Sequence, residues 1–511
     1  MKRFICIHGH FYQPPRENPW TGEVDAEESA APFHDWNERI AAECYEANTG
    51  APILGPKGQV LERINNYEHI SFDIGPTLLS WMRRKTPDVY KAIVQADKIS
   101  LSRRGGHGNA MAQSYNHLIM PLARDHDKIT QVRWGVKDFE FHYGRKPEGM
   151  WLSESAVDRR TLSIMADHGI LYTVLAPHQA RRVRHVGFGS RWKYVHHEGV
   201  DPRHPYRILL EGGKQFHIFF YDAPVSRSIA FQGLLHNGDQ LTQRLLGAFS
   251  GRDREQLVST ATDGETFGHH HRHGEMAVAW AVRRIQEQRP ARLTNYAEFL
   301  DRYGSFWEAD IYENSSWSCA HGVERWRSDC GCRINHQEGW NQRWRSYLRD
   351  AFDFLKDIID DVYETSCGKL LKDPWEARDA YIDVLLRPDA ETKRQFLARQ
   401  ARKELNMDDQ RRVWDLLEAE RYSMYMFTSC GWFFDEISGI EPVQMMKYAL
   451  RAMELVQPYY LKDIEGPFLK ILEAAKSNLP EMGSGADIFR DIVRPYRDRA
   501  PRQPVHPLKE N

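Results

Sequence analysis

Two short stretches carry acids where chemistry needs them. "VSTATDGETFGHHHRHGE" runs from apolar residues into Asp263, Gly264 and Glu265, then into His269, His270, His271 and His273. Carboxylates two residues apart can share a face and perturb each other, which holds one of them protonated near neutral pH. The competing explanation is an Asp-Gly turn followed by a solvated histidine loop. "KPEGMWLSESAVD" places Glu154 at the expected end of a short strand, three residues after Trp151. A carboxylate there suits a nucleophile or a general base, and equally a helix start in which Ser153 caps and Glu154 meets the dipole.

"CIHGHFYQPP" presents His8 and His10 one residue apart on an apolar run. Residues i and i+2 share a strand face, and the following prolines cannot continue a ladder, so both imidazoles belong at a strand's carboxyl end. "GGHGNAMAQSYNHLIMPL" adds His107 and His117 around a glycine-rich turn. "NSSWSCAHGVERWRSDCGC" holds Cys319, His321, Cys330 and Cys332, a spacing that matches no standard metal site and reads as packing thiols or a local redox pair. The histidine loop has neither an HExxH pattern nor finger spacing, so no metal and no cofactor is expected.

Elements to position these residues are visible. Over the first ~300 residues short apolar strands ("FICIH", "ILYTVLAP", "FHIFFYD", "LVSTATDGE") alternate with helical patterns ("GPTLLSWMRR", "HDKITQVRWGVKDFEFHYG", "DRRTLSIMADHG"). This alternation predicts α/β architecture, a parallel sheet with helices outside it, closed as a barrel or open and doubly wound; in a barrel the catalytic groups gather where strands end. From about residue 340 the pattern turns helical, giving a second, all-helical domain. The expected division is a catalytic barrel over 1–305, a helical domain over 306–495 completing the active-site cleft, and a flexible proline-rich tail over 496–511.

The 511 residues suffice for two or more domains. A net charge of −2 and a pI near 6.9 give no electrostatic case for a nucleic-acid or membrane-surface partner. The start of the chain has no signal-peptide pattern, no apolar stretch reaches the ~18 residues of a span, and seven cysteines without a framework suit a reducing cytoplasm. Fifteen tryptophans, many beside His, Gly, Asp or Glu, suit stacking on sugar rings as well as a core.

In combination and in order, the motifs resemble glycoside hydrolase family 57, the retaining α-glucan-active enzymes. "HGHFYQPP" is similar to the family's His-x-His-Gln-Pro motif, with Phe11 and Tyr12 inserted before Gln13. "ISFDIGPTLLSWM" and "SYNHLIMPL" resemble its second region and carry His117. "GMWLSE" resembles the region of the nucleophilic glutamate, with Ser153 where proline is common, and "TDGETFGH" that of the acid/base aspartate. "SSWSCAHGVERW" through "EGWNQRW" resembles the last region. The resemblance implies an incomplete seven-stranded (β/α) barrel followed by helices, and no required metal. It assigns Glu154 as nucleophile and Asp263 as acid/base, with an oligo- or polysaccharide as substrate. His8, His10, His107, His117, Trp151, Glu265, His269 and Trp317 are expected to bind substrate. "TSCGWFFDEISGIEP" adds Trp432 and Asp435 to that set, because three consecutive aromatics cannot share one helix face. Two alternatives stand beside this reading: a metal-dependent α-mannosidase or polysaccharide deacetylase, which needs an aspartate near the first strand's end, and a catalytically silent glycan-binding protein.

Overall fold

Strand β1 (Arg3–Phe11) is buried along all but its first residue, and its run of apolar residues is that of a central parallel strand covered on both faces. It pairs in parallel with β2 (Ser71–Ile74) on one side; β3 (Ala110–Gln113) and β4 (Met150–Trp151) continue the sheet beyond β2. A parallel bridge between Gly149 and Tyr172 passes the ring to β5 (Tyr172–Leu175), which pairs in parallel with β6 (Gln215–Phe220). Between β6 and β7 (Gln256–Asp263) the contact is a hydrogen bond from Asp222 N to Ser259 O, 2.7 Å, and β7 pairs in parallel with β1. Seven parallel strands therefore succeed one another in chain order around an incompletely laddered barrel, which the family resemblance implies and the βα alternation allows. The structure is a computed structural model that describes residues 2–187, 189–195 and 199–499. Most of the expected tail, 500–511, lies outside the described residues.

Six of the seven strands feed one interior cluster: Phe4 and Cys6 from β1, Met111 from β3, Trp151 from β4, Tyr172 and Val174 from β5, Phe219 from β6, and Leu257 and Ala261 from β7. The period-two rule puts His8 and His10 on the face of β1 that Phe4 and Cys6 occupy. Moving along β1, the interior thus changes from apolar packing to imidazole at the carboxyl end. Strands Tyr206–Leu209, Trp307–Ile311, Ala180–His185 and Lys193–Tyr194 extend the sheet from β6 outward, mostly antiparallel.

The chain divides into two compact units: residues 1–13, 26–114 and 139–317 form the first, and 14–25, 115–138 and 318–511 the second. The second is helical, with long helices Trp344–Cys367, Met407–Tyr425 and Ile440–Val456. At its centre Lys356 and Arg378, each 1 % exposed at the side chain, both contact Asp127 and Glu420. Charges so buried persist because each meets an opposite one. Among the described residues no helix is long and apolar enough to cross a membrane.

Candidate active site

The carboxyl ends of β1, β2, β4 and β7 bring the first group together. His10 Nδ1 donates to Asp73 Oδ2 at 2.7 Å and His8 Nε2 donates to Asp73 Oδ1 at 3.1 Å, while His8 Nδ1 lies 3.1 Å from Ser71 Oγ. Burial lowers the pKa of His8, and the Asp73 carboxylate only partly opposes it. Burial would lower His10 too, but Asp73, helped by Asp263 and Glu265, outweighs it and holds His10 above the ordinary histidine range. Asp73 is buried as well, a change that alone would raise its carboxyl, yet His10 and His8 keep it below the usual range. The Trp151 indole, fully buried, stacks on both imidazoles at 4.9 and 5.0 Å between ring centroids.

Glu154 is reached differently from the expectation. The strand stops at Trp151, and Ser153–Ser155 form a single tight turn in which Glu154 has φ 56° and Ser155 φ 48°. Two consecutive left-handed residues without glycine cost on the order of 1–3 kcal/mol each, and surrounding contacts must impose them. They do: Ser155 N donates to Leu152 O, Gln179 Nε2 to Ser155 O, and Trp317 N to Glu154 O. The helix-start alternative fails because the next helix, Arg159–Asp167, is capped by Asp158, whose side chain accepts from Thr161 N. The turn instead aims the carboxylate at Trp317, whose Nε1 donates to Glu154 Oε2 at 3.0 Å.

Trp317 joins this acid to the histidines. Its ring meets Trp151 edge-on at 5.1 Å, His10 at 6.3 Å and Tyr221 at 6.3 Å. Asp263 is the register partner of His10 across β1 and β7, and its charge contributes to the raised pKa of Tyr221. Asp263 is open to solvent on one side and crowded by protein on the others. That crowding lifts its carboxyl above the usual range, with His10 opposing and Asp73 adding to the rise. Glu265 is buried, and its Oε1 accepts from Tyr45 OH at 2.8 Å and Tyr12 N at 3.1 Å, with Gln13 Nε2 at 3.4 Å. Burial first, and then Asp263, push it up to about 7.

Sequence reasoning missed Asp73, Tyr45 and Tyr12. Asp73 had a signal, an acid inside the apolar "SFDIG" strand. Asp73, beside His10 across β1 and β2, is an aspartate near the first strand's end of the kind that the metal-dependent alternative needs. Both imidazoles point a nitrogen directly at the Asp73 carboxylate, and Trp151 covers both rings.

The other expected residues have different immediate partners. His107 precedes β3 and contacts Glu148, which precedes β4, with Nδ1 and Oε1 at 2.8 Å. It therefore sits at the amino-terminal ends of the strands, opposite His8 and His10, because the glycine turn feeds the strand rather than following it. His269 pairs with Glu43 and meets Trp36 edge-on, while His271 Nε2 donates to Ala230 O. His117, in the second unit, has Nδ1 2.7 Å from Ser429 Oγ. Trp432, also there and 1 % exposed, packs against Phe352 and Phe427 and donates to Arg345 O, and Asp435 accepts from Ile334 N and Asn335 N. Both thus serve the packing of their own unit.

Residues 8–308 match glycosyl hydrolase family 57, and residues 340–505 match a domain of unknown function (DUF3536). Alpha-amylase 1 of Dictyoglomus thermophilum is 23% identical over 192 residues, 37% of this chain and 24% of that protein, so the match spans about a quarter of that relative's length. A novel exo-type maltose-forming amylase from Pyrococcus sp. ST04 has a similar structure, with a TM-score of 0.69 at 16% identity, covering 97% of this chain and 93% of that one. A GH57-type branching enzyme from the hyperthermophilic archaeon Pyrococcus horikoshii gives 0.56 at 15% identity over 99% of both chains. These likenesses are of fold, whereas the family match covers more than half of the sequence, and the chain belongs to glycosyl hydrolase family 57.

Proposed function

We propose that the protein is a retaining glycoside hydrolase or transglycosylase acting on α-glucans. Glu154 attacks the anomeric carbon, and Asp263 protonates the leaving oxygen. Water or a sugar hydroxyl then attacks the glycosyl-enzyme with Asp263 as base. The observation that carries this reading is the pairing of environments. Glu154 is held by a hydrogen-bond donor in a strained turn, which orients an anion, whereas Asp263 is solvent-open with a raised pKa, which suits an acid. Glu265, anchored by Tyr45, Tyr12 and Gln13, positions the loop, and the neighbouring Asp263 adds to the rise of its own carboxyl. His10 with Asp73 and the exposed side of the Trp317 ring supply hydroxyl donors and a stacking face. The relatives' amylase and branching activities support an α-glucan substrate, and hydrolysis and transfer use the same residues.

The test compares wild type, Glu154→Gln and Asp263→Ala on maltooligosaccharides, glycogen and an aryl glycoside with a good leaving group. Glu154→Gln should lose turnover on all three by at least ~10³-fold with its circular dichroism intact. Asp263→Ala should keep the glycosylation step on the aryl glycoside alone, since that step needs little proton donation. Wild-type rates from either variant on maltooligosaccharides would overturn the assignment.

A further inference from the structure

The second unit gathers a cluster the reaction does not use. Cys319, His321, Cys330 and Cys332 each offer one ligand atom, and these four atoms lie within 4.8 Å of one another. Among the described residues this is the only group of three or more such side chains so disposed. A tetrahedral zinc ion with Zn–S of about 2.3 Å and Zn–N of about 2.0 Å sets its sulfurs about 3.8 Å apart and about 3.5 Å from the imidazole nitrogen. Cys319 Sγ and Cys330 Sγ are 3.9 Å apart, and Cys332 Sγ is 3.6 Å from His321 Nδ1. The sulfur pair is far beyond the ~2.05 Å of a disulfide. Packing does not account for the convergence either, because His321 is exposed and Cys330 and Cys332 are only half-buried.

Local backbone supports the same geometry. Gly331 (φ 81°) separates Cys330 from Cys332, and Gly322 (φ 85°) follows His321. Left-handed glycines let a Cys-x-Cys and a Cys-x-His pair each turn both side chains inward. The chain leaving the cluster is pinned: Arg345, fully buried, donates to Cys332 O at 2.8 Å, and Asp435 accepts from Ile334 N and Asn335 N. Arg325 donates to Ser318 O at the other end. From Ser318 to Arg343 the only regular element is the turn Glu324–Trp326. A segment of that length without its own ladder needs another source of order.

We infer that Cys319, His321, Cys330 and Cys332 form a structural zinc site that orders the segment from Ser318 to Arg343. Spacing alone favours packing thiols or a local redox pair, because two short pairs eleven residues apart fit no standard metal pattern. The four-coordinate, all-protein ligand set leaves no open position, so the ion would contribute stability and no catalytic water.

The experiment measures metal by mass spectrometry on untagged full-length protein after extensive dialysis, for wild type, His321→Ala, Cys330→Ser/Cys332→Ser and, as control, Cys367→Ser. Wild type and Cys367→Ser should hold one zinc per chain, the double variant none, and His321→Ala should release zinc at least tenfold faster to a chromogenic chelator. Should the double variant not fold, Co(II) exchanged into wild type provides the second readout, through thiolate charge-transfer bands and the intense visible bands of a tetrahedral site. Wild type without stoichiometric zinc and with a Cys319–Cys330 disulfide in its intact mass would overturn the inference. So would zinc retained by the double variant, which would place it at the histidines of 269–273, or an octahedral Co(II) spectrum.

Discussion

Replacing Glu265 with glutamine isolates the cost of keeping a second acid beside Asp263. Burial, and then Asp263, push the Glu265 carboxyl from 4.5 up to about 7. At 1.36 kcal/mol per unit this amounts to about 3 kcal/mol of preference for the protonated form. Below about pH 4.5 folded and unfolded chains both carry that proton, and the group costs nothing. Between pH 4.5 and about 7 the unfolded chain releases it while the folded chain retains it, so stability falls with rising pH and levels off above 7. Glutamine is neutral throughout and its oxygen still accepts from Tyr45, Tyr12 and Gln13. The stability difference, Glu265→Gln minus wild type, should therefore grow by about 3 kcal/mol between pH 4.5 and 8, on top of a constant offset. Urea unfolding of both proteins at the two pH values, followed by tryptophan fluorescence, measures it. Asp263→Asn should shrink the change, because Asp263 is the second cause of the shift. Curves that run parallel, or that converge as pH rises, would refute the electrostatic account of this loop.

Trp317→Phe keeps a ring against Trp151 but removes the donor to Glu154, so kcat should fall about 10–100-fold with KM changing less, as steady-state kinetics on a maltooligosaccharide will show. Asp73→Ala strips both imidazoles of their common acceptor in a buried site and should destabilise the first unit by about 3–5 kcal/mol, read from urea unfolding at pH 7. Ser155→Gly relieves one of the two left-handed positions and leaves Glu154 in place. It should preserve or slightly raise stability while lowering kcat, and thermal unfolding set beside turnover separates the two effects.

Residues placed by local periodicity were legible. His8, His10 and Asp263 stand at strand ends because an apolar run stops there, and the alternation of such runs with helical patterns predicts the parallel sheet, while its closure as a seven-stranded barrel came from the family resemblance. Glu154 was legible as an acid but not as a left-handed one. Nothing in "WLSES" announces positive φ without a glycine, and the conformation is imposed by Gln179 and Trp317 from distant parts of the chain. Asp73 became relevant only when β2 docked on β1, sixty-odd residues away. His107 was misplaced because a histidine beside a turn looks alike whether the strand comes before or after it. The four residues of the thiol cluster were visible in the sequence, but their convergence was not, because it depends on a chain whose exit is pinned by Arg345 and Asp435 from later in the sequence.

The interleaving of the two units sets an order on synthesis. Residues 14–25 and 115–138 leave the ribosome early, yet the groups that satisfy them are made late. Trp20 awaits Glu454, and the buried carboxylate of Asp127 awaits Arg378, 251 residues downstream. At about 5–20 residues per second this interval is about 10–50 s, during which a segment destined for a helical interior is unpartnered on the nascent chain. Neither unit can be encoded as one uninterrupted fragment, so a stop codon before residue 318 would leave the barrel carrying two orphaned insertions rather than a free-standing domain. Chaperone dependence of expression should therefore rise as the gene is truncated toward that point.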